Sequence, residues 1–283
     1  MRYTSVMESI LLYPLAVTLY AGLTAYAWMK QVHSPAPDRI ARVRPFGMEQ
    51  VVLLLTLLVH GATLRQAIFG DDFLRFGFAT ALSAMVWLAL AILWIENLFA
   101  RIDSLKLIGL PVAVACVPLP ALFPDHHVLL NTNSPYFRIH LLVSMLSYSL
   151  FMLSALHALL MAATERRLHS GRISPLLAGL PPLLSMETLL FRLIHIAFML
   201  LTISVVSGIG FSETLFGRAL RFDHKTIFAT ISWLIFAALL LGRHLRGWRG
   251  RIAVNWTIAG FAALLLAYIG TQFVLEILLG RSA

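Results

Sequence analysis

Apolar residues in this chain are gathered into long runs that short polar segments separate. About 20 consecutive apolar residues span a bilayer as an α-helix, so these runs predict membrane-spanning helices. Eight spans are predicted: Ile10–Trp28, Met48–Phe69, Gly77–Ile95, Leu107–Phe123, His140–Ala163, Leu189–Phe211, Thr226–Leu241 and Ile252–Leu275. The pattern therefore predicts an all-α fold, a polytopic membrane helix bundle of about eight transmembrane helices, with residues 1–283 forming a single domain.

Two of the predicted spans are weak. The pair Arg65-Gln66 interrupts the second span and leaves its strongest part short. The fourth span contains Pro111, Pro118 and Pro120, and proline in a helix interior removes a hydrogen bond and bends the helix. We expect the fourth span to be kinked.

The fifth span carries a polar stripe that begins at His140. Helical spacing places on one side of it His140, Ser144, Ser147, Tyr148 and Ser154, and on the opposite side Leu142, Leu146, Leu153 and Leu160. Lipid cannot satisfy a row of hydroxyl and imidazole groups, so we expect the stripe to face other helices.

Composition agrees with a membrane location and weakens other classes. The chain is 59% hydrophobic and 12% charged, whereas a soluble domain averages about 25% charged residues. The net charge of +9 is spread between the apolar spans, which favours membrane topology over binding of nucleic acid. The single cysteine, Cys116, supports neither a disulfide framework nor a CxxC redox pair.

Lysine and arginine counts predict the orientation. The segments after spans one, three, five and seven hold thirteen such residues, against eight in the termini and the other segments. The positive-inside rule then places both termini outside the cytoplasm. His140 and His224 would begin their helices at that outer face, and His60 would lie roughly 18 Å into span two, in the outer half of the membrane.

Several imidazoles near one membrane face suggest a haem site, because neutral histidines from facing helices can ligate haem iron. A zinc site is less supported, since HExxH is absent, and a proton or ion path using Asp223 or Glu96 is an alternative. Each histidine also has a structural interpretation: interfacial for His140, His224 and His157, and interhelical hydrogen bonding for His60. Arg192 and His195 are expected to line a polar crevice at the cytoplasmic side.

The remaining histidines are assigned to loops, His126 and His127 as solvated residues and His33, His169 and His244 as topology determinants. The sequence holds no nucleophile constellation or paired-carboxylate motif, and Gly208-Ile209-Gly210 lacks the strand–helix setting of a dinucleotide fingerprint. We therefore expect a protein that is not an enzyme.

The C-terminal third resembles a known family. Its motifs are Phe222-Asp223-His224-Lys225-Thr226, Ile231–Phe236, Gly242-Arg243-His244, Gly247-Trp248-Arg249-Gly250 and Ala259-Gly260-Phe261. Together with His140–Tyr148 and Leu57–Gly61 followed by Leu64-Arg65, these segments resemble the cytochrome c assembly proteins, which include CcsA and CcmC. The similarity covers nearly the whole chain and is greatest to the HemX/YpjD-type branch, eight-helix proteins without the large haem-handling loop.

The resemblance implies haem handling at the outer face of the membrane, but with a changed ligand set. The family's tryptophan-rich loop ends in Trp-Asp-Pro-Lys-Glu, where this chain has Phe222-Asp223-His224-Lys225-Thr226. Two of the family's four histidines are missing, at Leu241 and in Leu278-Leu279-Gly280, while His224 is an additional histidine. We infer His140 and His224 as an outer pair of ligands for haem iron, with His60 as a deeper cofactor-binding residue.

These expectations describe a protein of the bacterial inner membrane that binds or handles haem by histidine ligation. It would act as an accessory or regulatory factor in cytochrome c assembly or haem metabolism, beside proteins of those pathways. Two alternatives stay open: a cofactor-free scaffold that stabilises a haem-biosynthesis or cytochrome-assembly complex, and a small transporter, which the absence of repeated halves disfavours.

Overall fold

The computed structural model describes residues 2–33, 47–69, 74–99, 103–124, 134–169, 180–216 and 223–278. Within these ranges, eight helices are long and apolar enough to cross a membrane. The predicted all-α architecture with eight spans is therefore confirmed.

Most helices are longer than the apolar runs that predict them, because polar residues extend their ends, whereas the second keeps its predicted bounds and the fourth is shorter. Their bounds are α1 Arg2–His33, α2 Met48–Phe69, α3 Phe78–Phe99, α4 Asp103–Cys116, α5 Leu119–Leu122, α6 Pro135–His169, α7 Leu183–Phe216, α8 His224–Arg246 and α9 Arg251–Leu265. The last span continues as a π-helix over Leu266–Gly270, an α-helical turn α10 at Thr271–Phe273, and a second π-helix over Val274–Leu278.

Successive spans run in opposite directions, which defines two ends of the bundle. The end where α6 begins at Pro135 and α8 begins at His224 is called here the histidine end. The end where α8 finishes at Arg246 and α9 starts at Arg251 is called the arginine end. With eight spans, α1 starts and the last span finishes at the same end, the histidine end.

The fourth span is broken by proline, as its sequence predicts. Pro111 lies inside α4, which ends at Cys116, and Pro118 precedes the short α5. Arg65 and Gln66, in contrast, do not interrupt α2, which continues to Phe69. Arg65 is exposed, so its charged group does not enter the bundle.

The central helix is α6, which packs against α3, α4, α7 and α9. The predicted inward stripe is confirmed: Ser144, Ser147 and Tyr148 are buried. The prediction that leucines form the opposite face of this helix is only partly confirmed. Leu142 is exposed, whereas Leu153 and Leu160 are buried. Neighbours on several sides cover the half of α6 towards the arginine end, so sequence periodicity alone does not mark a lipid face there.

Several residues of the C-terminal sequence motifs pack α8 against α9 or form the turn between them. Trp248 lies directly over Gly242, where a Cβ would collide with the indole ring. Gly247 makes the turn in a left-handed conformation, with φ of 64°, which a glycine adopts without steric cost. Further along, the Ser232 hydroxyl donates to the Gly260 carbonyl at 2.9 Å, which fixes the two helices at close distance.

Charged side chains at the arginine end pair with one another. Glu187 of α7 accepts from Arg243 at 2.6 Å and from Arg249 at 3.3 Å. Glu49 of α2 accepts from Lys30 at 2.8 Å and from the buried Lys106 at 2.7 Å. Lys106, one of the thirteen basic residues that the sequence assigns to the cytoplasmic side, therefore lies within α4 as part of a three-helix ion network.

Replacing Gly260 by alanine tests the close packing of the C-terminal hairpin. The added Cβ would lie 2.7 Å from Phe236 Cε2, closer than real carbon contacts allow. We expect a loss of about 1–3 kcal/mol, typical of an overpacked core, measured as lower thermal stability in detergent. Gly22→Ala, where nothing lies within 4 Å of the new Cβ, is the control and should not lower the melting temperature. Equal stability of the two variants would contradict the close packing.

Reporter fusions test the predicted orientation. Alkaline phosphatase fused after the last span should be active, and green fluorescent protein fused there should be dark, because the positive-inside rule places the histidine end outside the cytoplasm. A fluorescent fusion without phosphatase activity would reverse the orientation.

Candidate ligand site at the histidine end

His140 is held in one orientation by a closed ring of hydrogen bonds between α6 and α7. The Ser207 hydroxyl donates to the Ser204 carbonyl at 3.1 Å, so its oxygen is left to accept from His140 Nδ1–H at 2.9 Å. The Ser144 hydroxyl donates to the His140 carbonyl at 2.7 Å and accepts from the Ser204 hydroxyl at 2.6 Å. With the Ser207 proton donated to Ser204, the imidazole proton is on Nδ1 and the lone pair is on Nε2.

The surroundings of His140 leave the edge that carries Nε2 accessible. The side chain is only partly buried, and its Cε1 atom packs against Gly208 of α7. Among the described residues, no side chain or carbonyl group hydrogen-bonds to Nε2. A neutral imidazole with one nitrogen anchored and the other free has the arrangement found in metal-ligating histidines.

His224 is the first residue of α8 and is exposed. The preceding Asp223 caps the helix, because its carboxylate accepts from the Thr226 backbone N–H at 2.9 Å. This cap fixes the backbone at residue 224, while the imidazole itself has no hydrogen bond to another described residue. His224 is thus available to a ligand at the histidine end.

The structure brings His140 and His224 to the same end of the bundle on neighbouring helices, but not into contact. Helices α6 and α8 meet deeper in the bundle, where Phe151 and Phe236 stack with ring centroids 3.9 Å apart. Helix α7 also contacts α8, since Trp233 donates to the Thr202 hydroxyl at 2.9 Å. No hydrogen bond or ring contact joins the two imidazoles among the described residues. Each imidazole thus keeps a ring nitrogen that no other described residue occupies.

His60 occupies a different environment. It is fully buried, its Nδ1 lies 3.1 Å from the Tyr20 hydroxyl, and its Nε2 lies 2.9 Å from the Ser83 hydroxyl. Both nitrogens are engaged in either tautomer, and the three side chains connect α1, α2 and α3. The structure thus favours the interhelical interpretation of His60, and its predicted role as a haem ligand would require breaking one of these two hydrogen bonds.

Two other sequence interpretations are corrected. His157 is buried instead of interfacial, and its Nε2–H donates to the Met186 carbonyl at 2.8 Å, because α7 covers this part of α6. Arg192 and His195 do not line a crevice, since both are exposed on the outward face of α7.

The remaining predictions have mixed outcomes. Asp223 and Glu96 lie at opposite ends of the bundle, so they do not form one short path with the histidines. His33 and His244 are exposed, in agreement with a position near the membrane surface. His126, His127 and the side chain of His169 lie outside the described residues.

Sequence reasoning overlooked a polar group in the last span. Gln272 is fully buried, and both its amide nitrogen and its amide oxygen lack a hydrogen-bond partner. It lies in the turn between the two π-helices, one turn after Tyr268, whose hydroxyl donates to the Phe76 carbonyl at 2.9 Å. Lys225, which follows His224, lies 5.4 Å from the Tyr268 ring centroid. In the sequence, this position could have been recognised as a single glutamine within an apolar run.

The donor set at this end fits haem better than a small metal ion. No cluster of three or more histidine, cysteine or acidic side chains suited to a metal ion occurs among the described residues. Haem iron needs only one or two axial protein ligands, because the porphyrin supplies the other four. At this end, His140 with its free Nε2 and the exposed His224 are the histidines available for such ligation among the described residues.

These features define a membrane helix bundle with ligand-competent histidines at one end. The chain matches the family described as Cytochrome C assembly protein over residues 48–279 and belongs to that family. This match confirms the resemblance drawn from the sequence motifs.

Three relatives illustrate the range of the similarity. The inner membrane protein YpjD of Escherichia coli K12 is 28% identical over 166 residues, which are 59% of this chain and 62% of that protein. A 28.8 kDa protein of Azospirillum brasilense is 33% identical over 142 residues, 50% of this chain and 52% of its own length. The cytochrome c biogenesis protein CcsA of Gloeobacter violaceus is 32% identical over 92 residues, 32% of this chain and 27% of CcsA.

The variant His60→Leu distinguishes interhelical hydrogen bonding by His60 from its predicted role as a haem ligand. Removing it breaks the bonds to Tyr20 and Ser83, and we expect a loss of about 1–2 kcal/mol for two interhelical bonds in a membrane. Thermal unfolding in detergent measures this loss, with the exposed His244→Leu as control. The folded His60→Leu variant should keep the wild-type affinity for haem, because His140 and His224 are the proposed ligands. Loss of haem binding without loss of stability would instead support the ligand role.

Proposed function

We propose that this protein binds haem at the extracytoplasmic end of its helix bundle through His140 and His224. The observation that carries the proposal is the hydrogen-bond ring that engages His140 Nδ1 and leaves Nε2 without a partner among the described residues. His224 supplies a second imidazole at the same end, on a neighbouring helix. Membership of the cytochrome c assembly family supports haem as the ligand.

The protein's own residues would bind and orient the ligand. Ser207 would keep His140 in the ligating tautomer by donating its own proton to the Ser204 carbonyl and accepting from Nδ1–H. Such second-sphere hydrogen bonds raise the basicity of the ligating nitrogen and fix the ring plane. Bound haem would supply redox and ligand-exchange chemistry, while reversible axial ligation makes or breaks no covalent bond of the protein. The proposed activity is therefore reversible haem binding, without bond-making catalysis.

The family and the predicted topology support a cellular role. We assign the protein to the bacterial inner membrane, as the name of the relative YpjD supports, and the positive-inside rule predicts both termini on the periplasmic side. There it would act as an accessory or regulatory factor in cytochrome c assembly or haem metabolism, beside other assembly proteins. The name of CcsA, a cytochrome c biogenesis protein, supports the first of these pathways.

A second function, a scaffold without cofactor, is favoured by the outward face of α7. Arg192 and His195 are exposed within the span Leu183–Gly210, and no ion pair joins Arg192 to another described residue. Lipid offers few partners to such groups, so contact with another membrane protein would stabilise them. A protein that purifies in complex with a partner and fails to bind hemin would support this second function.

Hemin titration of the purified protein tests the proposed pair. The wild-type protein should develop a red-shifted Soret band, and His140→Ala with His224→Ala should abolish it, because both proposed iron ligands are then removed. His244→Ala, an exposed histidine at the arginine end, is the matched control and should bind like the wild type. An unchanged band in the double variant would refute the ligand assignment.

The variant Ser207→Ala tests the orienting hydrogen bond. It removes the acceptor for His140 Nδ1–H and should weaken hemin binding by about 10–100-fold, the usual effect of losing a second-sphere partner. Ser149→Ala, which removes only a bond to its own helix, should have no such effect. Equal hemin affinity of both variants and the wild type would show that Ser207 does not position the imidazole.

A further inference from the structure

A groove lies at the arginine end, between the last turns of α6 and the first turns of α9. Its volume is about 190 Å³, and its rim carries the side chains of Glu165, Arg166, Arg251 and Asn255. Of these four, Arg166, Arg251 and Asn255 are exposed. The proposed haem site does not use this groove, because His140 and His224 lie at the other end of the bundle.

Polar and apolar residues of the groove are separated along both helices. Leu159 precedes Arg166 by seven residues on α6, and Ile258 follows Arg251 by seven residues on α9. Seven helical residues rise roughly 10 Å. Because α6 ends and α9 begins at this end, both apolar residues lie deeper in the membrane than both arginines, by this same distance. Such a lining matches an amphiphile whose charged head lies at the interface and whose chain points into the bilayer.

The rim of the groove is positively charged. Arg251 Nε lies 3.6 Å from Glu165 Oε1, so this carboxylate already has a cationic partner. No ion pair joins Arg166 to another described residue. Two guanidinium groups and one carboxylate leave a formal excess of positive charge at the rim, which favours an anionic occupant.

Asn255 adds a polar group one turn deeper than Arg251. It is exposed within the span Arg251–Leu278, and its side chain hydrogen-bonds to no other described residue. Hydrocarbon chains offer no acceptor to an amide N–H. A phospholipid with its phosphate at the rim would bring its ester carbonyls to about the depth of this amide.

We propose that the groove binds an anionic phospholipid, with the lipid phosphate held between Arg166 and Arg251. Guanidinium groups donate to phosphate oxygens in a geometry that matches their planar shape. The Asn255 amide donates to an ester carbonyl, and one acyl chain lies against Leu159 and Ile258. The positive-inside rule places this end at the cytoplasm, and basic pockets between membrane helices on that side bind anionic headgroups.

Other occupants fit the groove less well. The arginines would repel a metal cation, and a free phosphate would leave the apolar wall without a contact. A zwitterionic phospholipid has the same phosphate but also brings a cation, which weakens its attraction to the rim. Glu165, which would attract that cation, is already paired with Arg251. Selection of a net negative lipid over a zwitterionic one is therefore the property that the groove predicts.

Native mass spectrometry of the full-length protein in a nonionic detergent tests this selection. Delipidated protein is mixed with equal amounts of phosphatidylglycerol and phosphatidylcholine that carry the same acyl chains. We expect the wild type to retain phosphatidylglycerol preferentially. Arg166→Gln should reduce this preference about fivefold, the electrostatic contribution of one arginine near an anionic lipid. Arg246→Gln changes an exposed arginine at the same end but outside the groove, and it should keep the wild-type preference.

A second variant blocks the groove without changing its charge. Ala163 is exposed in the wall of the groove, so the indole of Ala163→Trp should fill the space and also reduce the bound phosphatidylglycerol. This variant gives an independent result if Arg166→Gln misfolds. Inorganic phosphate in large excess should not displace the lipid, because it makes no contact with the apolar wall.

Four outcomes would overturn the proposal. They are equal binding of the two lipids by the wild type, a preference that survives in both Arg166→Gln and Ala163→Trp, an equal loss of preference in Arg246→Gln, and displacement of the lipid by inorganic phosphate. The third would show a general effect of surface charge, and the fourth would assign the groove to a free anion. None of them bears on haem binding, because the two sites lie at opposite ends of the bundle.

Discussion

The structure depends on the rule that polar groups inside a bilayer need partners within the protein. Tyr20, His60 and Ser83 satisfy one another between three helices, and Ser147 donates to the Ala197 carbonyl between α6 and α7. These bonds fix which helices are neighbours, because apolar packing in lipid gives little preference between one leucine-rich face and another. The bundle is assembled around α6 by such polar contacts.

Polar side chains that lack a hydrogen-bond partner are therefore exceptions to this rule. His140 uses Nδ1 and leaves Nε2 free, while Gln272 leaves its whole amide without a partner. Both lie at the histidine end, where His224 and Lys225 begin α8. At the arginine end, Glu187 and Glu49 each pair with two basic side chains. Ion pairs thus stabilise one end of the bundle, and the other end holds the histidines of the proposed ligand site.

The sequence predicts the spans well and the contacts poorly, for physical reasons. A run of apolar residues reports its own need to leave water, so the eight helices and their alternation follow from local composition. The partners of His60 lie 40 residues before it and 23 residues after it, and no local pattern identifies them. His157 was misplaced because its burial is produced by α7, whose position against α6 is a tertiary property. The glycines of the C-terminal motifs indicate a family, but their packing role appears only when Trp248 and Phe236 are in place.

Electron paramagnetic resonance of the ferric haem complex tests the central claim, ligation by two histidines from different helices, most directly. Two imidazole ligands give a low-spin ferric signal, and the loss of either one gives a high-spin signal in its place. The account predicts a low-spin spectrum for the wild type and high-spin spectra for both single variants, His140→Ala and His224→Ala. A low-spin spectrum that persists in both single variants would contradict it.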